Sequence, residues 1–178
     1  MKKYLNYILF LLAISFCGSC NSQTKRMKSI DGQYLVEDYI KKWKANKRYT
    51  LKVLEAMPEA DYDFKPADGM KTFKSQATHI ASWLNNHIKK VGLTGLTKVD
   101  ASSKKSLMAS LEKNFDELLI YIETIEAAQL GETTRMWYGQ STKSRLMNLM
   151  DNHLTHHRGQ MVVYLRLKGI KAPSYVGW

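Results

Sequence analysis

The sequence predicts an all-α protein, a single four-helix bundle, and three observations carry that prediction. Apolar residues recur at helical spacing in four stretches of roughly 19 to 28 residues each. Helix-stopping residues separate the stretches: Met57-Pro58, Gly92 with Gly95, Gly131 and Gly169. The connections are modest and no internal repeat is present, as antiparallel helices packed around one core require. A chain of 178 residues suits one such domain.

Composition narrows the class further. Hydrophobic residues make up 44% and charged residues 24%, which excludes a disordered chain. The net charge of +11 raises nucleic acid or an anionic membrane as partners. The basic residues, however, are scattered as on solvated helix faces: Lys41, Lys42, Lys44, Lys47, Arg48, Lys104 and Lys105. No nucleic-acid partner is expected.

The N-terminal residues read as an export signal. Lys2 and Lys3 precede an apolar run from Tyr4 to Phe16, too short to span a bilayer comfortably. Gly18 and Ser19 then precede Cys20, in the manner of a bacterial lipoprotein signal, although Cys17 stands where Leu is usual. Residues 1–19 are expected to be removed, Cys20 to be lipidated, and residues 20–32 to tether a domain over 33–178 at the cell envelope. Cys17 and Cys20 are the only cysteines. A disulfide scaffold, a cysteine nucleophile and a Cys-type zinc site are thereby excluded.

The first helix is expected over about Gln33–Met57, with Leu35, Tyr39, Ile40, Trp43, Tyr49, Leu51 and Leu54 on its stripe. A turn-rich connection follows, holding Asp61, Asp63, Pro66, Asp68 and Gly69. Thr72 suits the N-cap of a second helix over Phe73–Val91. The third begins after Asp100, Ser102 or Ser103, carries Leu107, Leu111, Phe115, Leu118, Leu119, Ile122 and Ile125, and is expected to reach about Ala128. Thr133–Tyr138 reads as a short extended piece. Ser141 or Thr142 caps a fourth helix that runs to about Lys168, and the apolar tail Ile170–Trp178 is expected to pack back on the bundle.

The chemistry lies in five histidines: His79, His87, His153, His156 and His157. His153 and His157 are one helical turn apart, about 40° around the axis, so both rings leave one face. Leu146, Met150, Gln160, Met161 and Tyr164 share that face, which is the core face. Neutral imidazole is the commonest metal ligand, and such a pair can grip one ion; it can equally be two hydrogen-bonded core histidines. His156 lies toward the polar flank and is the weaker candidate. A third ligand must come from another helix. The second helix offers His79 and His87, and wheel geometry places His87 nearer its apolar stripe. Arg158 lies off the histidine face and reads as a salt-bridge residue. Trp83, Trp137 and Tyr138 could line a pocket, but read more readily as core.

Several segments in order resemble one family. His153-Leu154-Thr155-His156-His157-Arg158-Gly159-Gln160, closing with Tyr164-Leu165-Arg166 and Gly169, resembles the HxxxHRGQ signature of the DinB-like family. Met57–Pro66 is similar to the loop after that family's first helix, and Thr72–Ala81 to the segment that carries its first metal histidine. The tail Pro173–Trp178 also fits, so the resemblance covers about residues 33–178. It implies a four-helix bundle of up-down-down-up connectivity, often a homodimer. It also implies a divalent metal held by three histidines, which fall on His79, His153 and His157 here; His87 remains the alternative from periodicity.

Three neutral histidines would leave an ion its full charge and an open position. For zinc this is the catalytic pattern, and nickel also suits nitrogen ligands. A water or a thiol reaching such an ion loses its proton near neutral pH. Some relatives are transferases or isomerases that use bacillithiol or mycothiol, although an exported chain is separated from an intracellular thiol. The expectation is a metal-dependent transferase or hydrolase of a small molecule, with a non-catalytic metal- or ligand-binding module as the alternative. Gln160 and Tyr164 follow the ligands and are candidates to orient water or substrate. Metal affinity is expected to fall below about pH 6.5 as imidazoles protonate.

Overall fold

The computed structural model describes residues 34–94, 96 and 98–177. The signal, Cys20, the tether and Trp178 lie outside these residues. Four helices dominate: α1 over 34–56, α2 Phe73–Val91, α3 Lys104–Thr124 and α4 Lys143–Leu167. None is long and apolar enough to cross a membrane.

The chain starts its helices where local chemistry favours it. Thr72, Ser103 and Thr142 are the N-caps of α2, α3 and α4, each accepting the backbone N–H three residues on through its hydroxyl. Gly92 ends α2 at φ 116°, in the left-handed region where a Cβ is unfavourable. Gly169 closes α4 in the same region: the Ile170 N–H reaches the Leu165 carbonyl at 2.9 Å and the Gly169 N–H that of Arg166 at 3.0 Å.

Two elements differ from the periodicity. Helix α3 stops at Thr124 instead of about Ala128, and a 3₁₀ turn over Ala127–Gly131 takes its place. Glu126 and Gln129 cap that turn reciprocally, so side chains satisfy backbone groups that a continued helix would have paired. The extended piece is longer than expected. Thr133–Met136 (β1) pairs antiparallel with Gly139–Thr142 (β2), and Trp137 and Tyr138 form the tip.

Contacts between helices set their directions. Down α1 from residue 44 to 55, ion-pair partners on α3 run backwards: Lys44 meets Glu123, Lys47 meets Asp116, and Glu55 meets Lys104. So α1 and α3 are antiparallel. Tyr39 bonds Ser144 and Asn46 bonds Asp151, with both sequences ascending, so α1 and α4 are parallel. Asn114 bonds the Ala81 carbonyl and Tyr121 the Val91 carbonyl, which makes α2 and α3 parallel. Gln76 lies beside Gln160 whereas His79 lies beside His153, which makes α2 and α4 antiparallel. The connectivity is up-down-down-up.

The core is continuous through the bundle. Trp43 packs on Phe115 at 6.2 Å between ring centres, with Phe73, Leu54, Ile80, Leu84 and Leu111 also fully buried. The tail packs back as expected through Ile170, Ala172 and Val176.

Candidate metal centre

The antiparallel pairing of α2 and α4 brings together histidines far apart in sequence. His79 leaves the second turn of α2 and faces the middle of α4, where His153 and His157 stand one turn apart. Each of the three offers a ring nitrogen, and these atoms lie within 4.8 Å of one another. His79 Nε2 and His153 Nε2 are 3.2 Å apart. Ligand atoms about 2.1 Å from a tetrahedral ion stand roughly that far apart, so the separation matches two ligands of one ion. His157 stands against both, its ring centre 4.5 Å from each of theirs.

Neighbouring side chains orient these rings. His157 Nδ1 donates to Gln76 Oε1 at 2.6 Å, which leaves Nε2 as the nitrogen with a free lone pair. Gln76 is itself buried and donates through Nε2 to Gln160 Oε1. The His153 ring lies flat on the indole of Trp83, at 3.8 Å and 8°. Trp83 stacks in turn on His87, at 3.6 Å. Desolvation first, and neighbouring imidazoles second, push His153 and His157 down to about 4. Desolvation and then the Lys71 charge also lower His79. All three rings are therefore neutral at neutral pH, the form that ligates metal.

The remaining candidates fall into place around this centre. His87 is not in the cluster: its Nδ1 bonds the Trp83 carbonyl at 2.8 Å and its ring packs on Trp83. The wheel favoured it by measuring closeness to the apolar stripe, whereas the centre forms at the half-buried edge of α2 that faces α4. His156 reaches Gln160 Nε2 at 2.8 Å, on the exposed side. Gln160 thus bonds Gln76 and His156 and none of the three clustered histidines. Tyr164 donates to the Lys71 carbonyl at 2.9 Å and lies 3.4 Å from Gln76 Nε2.

Arg158 departs from the salt-bridge expectation. It is 5% exposed, bonds Asn46 Oδ1, Thr50 Oγ1 and Thr155 Oγ1, and lies 4.8 Å over the Tyr49 ring. Helix α1 packs parallel to α4 and covers this side of it, so a position off the histidine face is still interior. Of the aromatics, Trp83 is half-buried and packs against the core, whereas Trp137 and Tyr138 depart from a core role, 73% and 49% exposed at the hairpin tip. Gln76 was not singled out by sequence, although its place three residues before His79 on the buried stripe was a usable signal.

Three neutral imidazoles on two antiparallel helices of an up-down-down-up bundle define a helical-bundle protein with a histidine triad that could hold a divalent metal. The chain belongs to the DinB family, whose model matches residues 27–177. Solved DinB-like proteins share the fold. One from Bacillus cereus has a TM-score of 0.71 and 21% identity, with 78% of this chain and 95% of that one covered. One from Bacillus subtilis has a TM-score of 0.64 and 19% identity, over 78% and 97%. No curated protein matches the chain.

Proposed function

We propose that His79, His153 and His157 hold one divalent ion, zinc first and nickel second, in an enzyme that acts on a small molecule. The single observation that supports this most is the oriented triad: ligand atoms within 4.8 Å of one another, one of them fixed by the Gln76 carbonyl. A resident ion there supplies Lewis-acid polarisation and lowers the pKa of a thiol or water that reaches it. The protein supplies neutral ligands, a fixed tautomer at His157 and a solvent-facing edge beside His79. The reaction class we favour is thiol-dependent transfer, with hydrolysis as the close alternative. We place the protein in a bacterial cell envelope as a homodimer, anchored through lipid on Cys20; the sequence of residues 1–20 and the family resemblance support that part.

The test is elemental analysis of untagged protein followed by turnover assays with and without added metal. One ion per chain and metal-dependent turnover of a thiol or hydrolysable substrate is the expected result. One ion without turnover of any such substrate favours a metal- or ligand-binding module. Absence of stoichiometric metal overturns the reading.

A further inference from the structure

A cavity of about 470 Å³ opens directly beside the triad, with His79 forming one wall. Its other walls are Lys71, Lys74, Ser75, Thr78, Ser82 and Ala101. Positions 75, 78, 79 and 82 share one face of α2, so the cavity runs along that helix for two turns. Among the described residues, the only charged groups lining it are two ammonium ions. Neither Lys71 nor Lys74 has a carboxylate partner among the described residues, which they share with other surface lysines such as Lys89 and Lys90; what sets them apart is their place in the wall of a cavity that also holds His79. Asp100, next to Ala101 in sequence, turns its carboxylate to the Ser102 N–H at 2.9 Å.

The backbone that presents the two lysines is held firmly. The Lys71 carbonyl accepts from Tyr164 at 2.9 Å, and the Lys74 N–H donates to the Tyr62 carbonyl at 2.7 Å. Between them Phe73 N–H donates to the Phe64 carbonyl at 2.9 Å, and Thr72 caps α2. The loop before α2 is thus stitched to both α4 and itself, which fixes where the lysine stems leave the backbone.

We propose that this cavity binds an anionic group, a carboxylate or phosphate, of the small molecule whose reacting end reaches the triad, with Lys71 and Lys74 as its anchors. The proposal rests on the metal reading above and names the substrate class: a small acid in place of a neutral or cationic molecule. Tyr164 then has a positioning role, holding the Lys71 backbone at the rim.

The test uses cobalt-loaded full chain and two thiol series matched in length, ω-mercapto acids and ω-mercapto alcohols. Thiolate binding is read from the cobalt charge-transfer absorption. Cobalt content is measured first, and a protein that takes up none overturns the metal reading itself. In cobalt-loaded protein, an acid of one chain length should bind about 10-fold tighter than its alcohol, the worth of a charge-assisted contact. Lys71→Gln with Lys74→Gln should bring that ratio to within about 2-fold, with cobalt content and alcohol affinity unchanged. Lys89→Gln with Lys90→Gln, the same charge change at the other end of α2, should leave the ratio as in the wild type. An acid preference that survives the first pair, or that the second pair removes equally, overturns the proposal. So does a preference of equal size at every chain length that high salt abolishes, since that is diffuse attraction to a basic protein. Cobalt uptake with no thiolate band from either series overturns the open position, and this proposal with it.

Discussion

Replacing Gln76 by Leu removes the acceptor at His157 Nδ1 while keeping the volume of a buried side chain. Divalent-metal affinity should fall about 10- to 100-fold, as is usual when the partner of a ligating histidine is lost; competition with a chelating dye measures it. His79→Ala, His153→Ala and His157→Ala should each abolish stoichiometric metal, whereas His87→Ala and His156→Ala should retain it. Retention in the His79 variant with loss in the His87 variant would show that the wheel chose correctly. The pH dependence also belongs to these residues. Burial and mutual repulsion hold His153 and His157 down to about 4, while in the unfolded chain they titrate near the ordinary 6.5. Between those values the unfolded chain binds more protons than the folded one. Stability of the metal-free protein is therefore fully present above about pH 6.5 and is lost as pH falls toward about 4. Proton competition for the triad accordingly sets in below the pH expected from the sequence alone. Urea melts across that range check this, and a flat profile would contradict it. The i, i+4 pair on α4 was legible because helical spacing alone puts both rings on one face. The third histidine was legible only through the family resemblance, which gave His79, because a wheel ranks burial and says nothing about which edge meets a partner helix.

At the scale of elements, helix starts were legible and one helix end was not. Thr72 announces itself as a hydroxyl cap, Ser103 and Thr142 each stood beside an adjacent alternative, and Gly92 and Gly169 mark left-handed stops. The end of α3 has neither Gly nor Pro to mark it; Glu126 and Gln129 end it through side chains that also suit a helix interior. Because Thr142 caps the helix that carries two of the three histidines, Thr142→Ala should cost about 1 kcal/mol, seen as an earlier thermal transition. Arg158 ties α4 to α1. Arg158→Ala leaves Asn46 and Thr50 without their donor inside the bundle and should destabilise it by about 3 kcal/mol in urea melts. Arg158→Lys should rescue little of this, because one ammonium cannot reproduce the guanidinium fork that reaches both α1 and Thr155.

For the whole molecule, the bundle was legible from periodicity and the connectivity only through the family resemblance, since apolar stripes do not say which helices are neighbours. Ion pairs such as Lys47 with Asp116 and hydrogen bonds such as Asn46 with Asp151 fix that order in space, and no sequence spacing encodes them. Mass spectrometry of the chain from its native membrane should find a mature N-terminus at Cys20 bearing acyl chains. An unmodified form beginning elsewhere would remove the lipid anchor from the proposal. The parallel run of α1 and α4 gives such an anchored molecule a direction. Tyr39, near the start of α1, sits beside Ser144, whereas Lys71, Tyr164 and the mouth of α2 lie at the opposite end of α4. At 1.5 Å per residue those two levels are about 30 Å apart. A chain fastened by its N-terminal end would hold the start of α1 on the anchored side and the Lys71 rim at the far end, with the histidine triad midway along α4, so a small molecule coming from the free end would meet the lysines before the histidines.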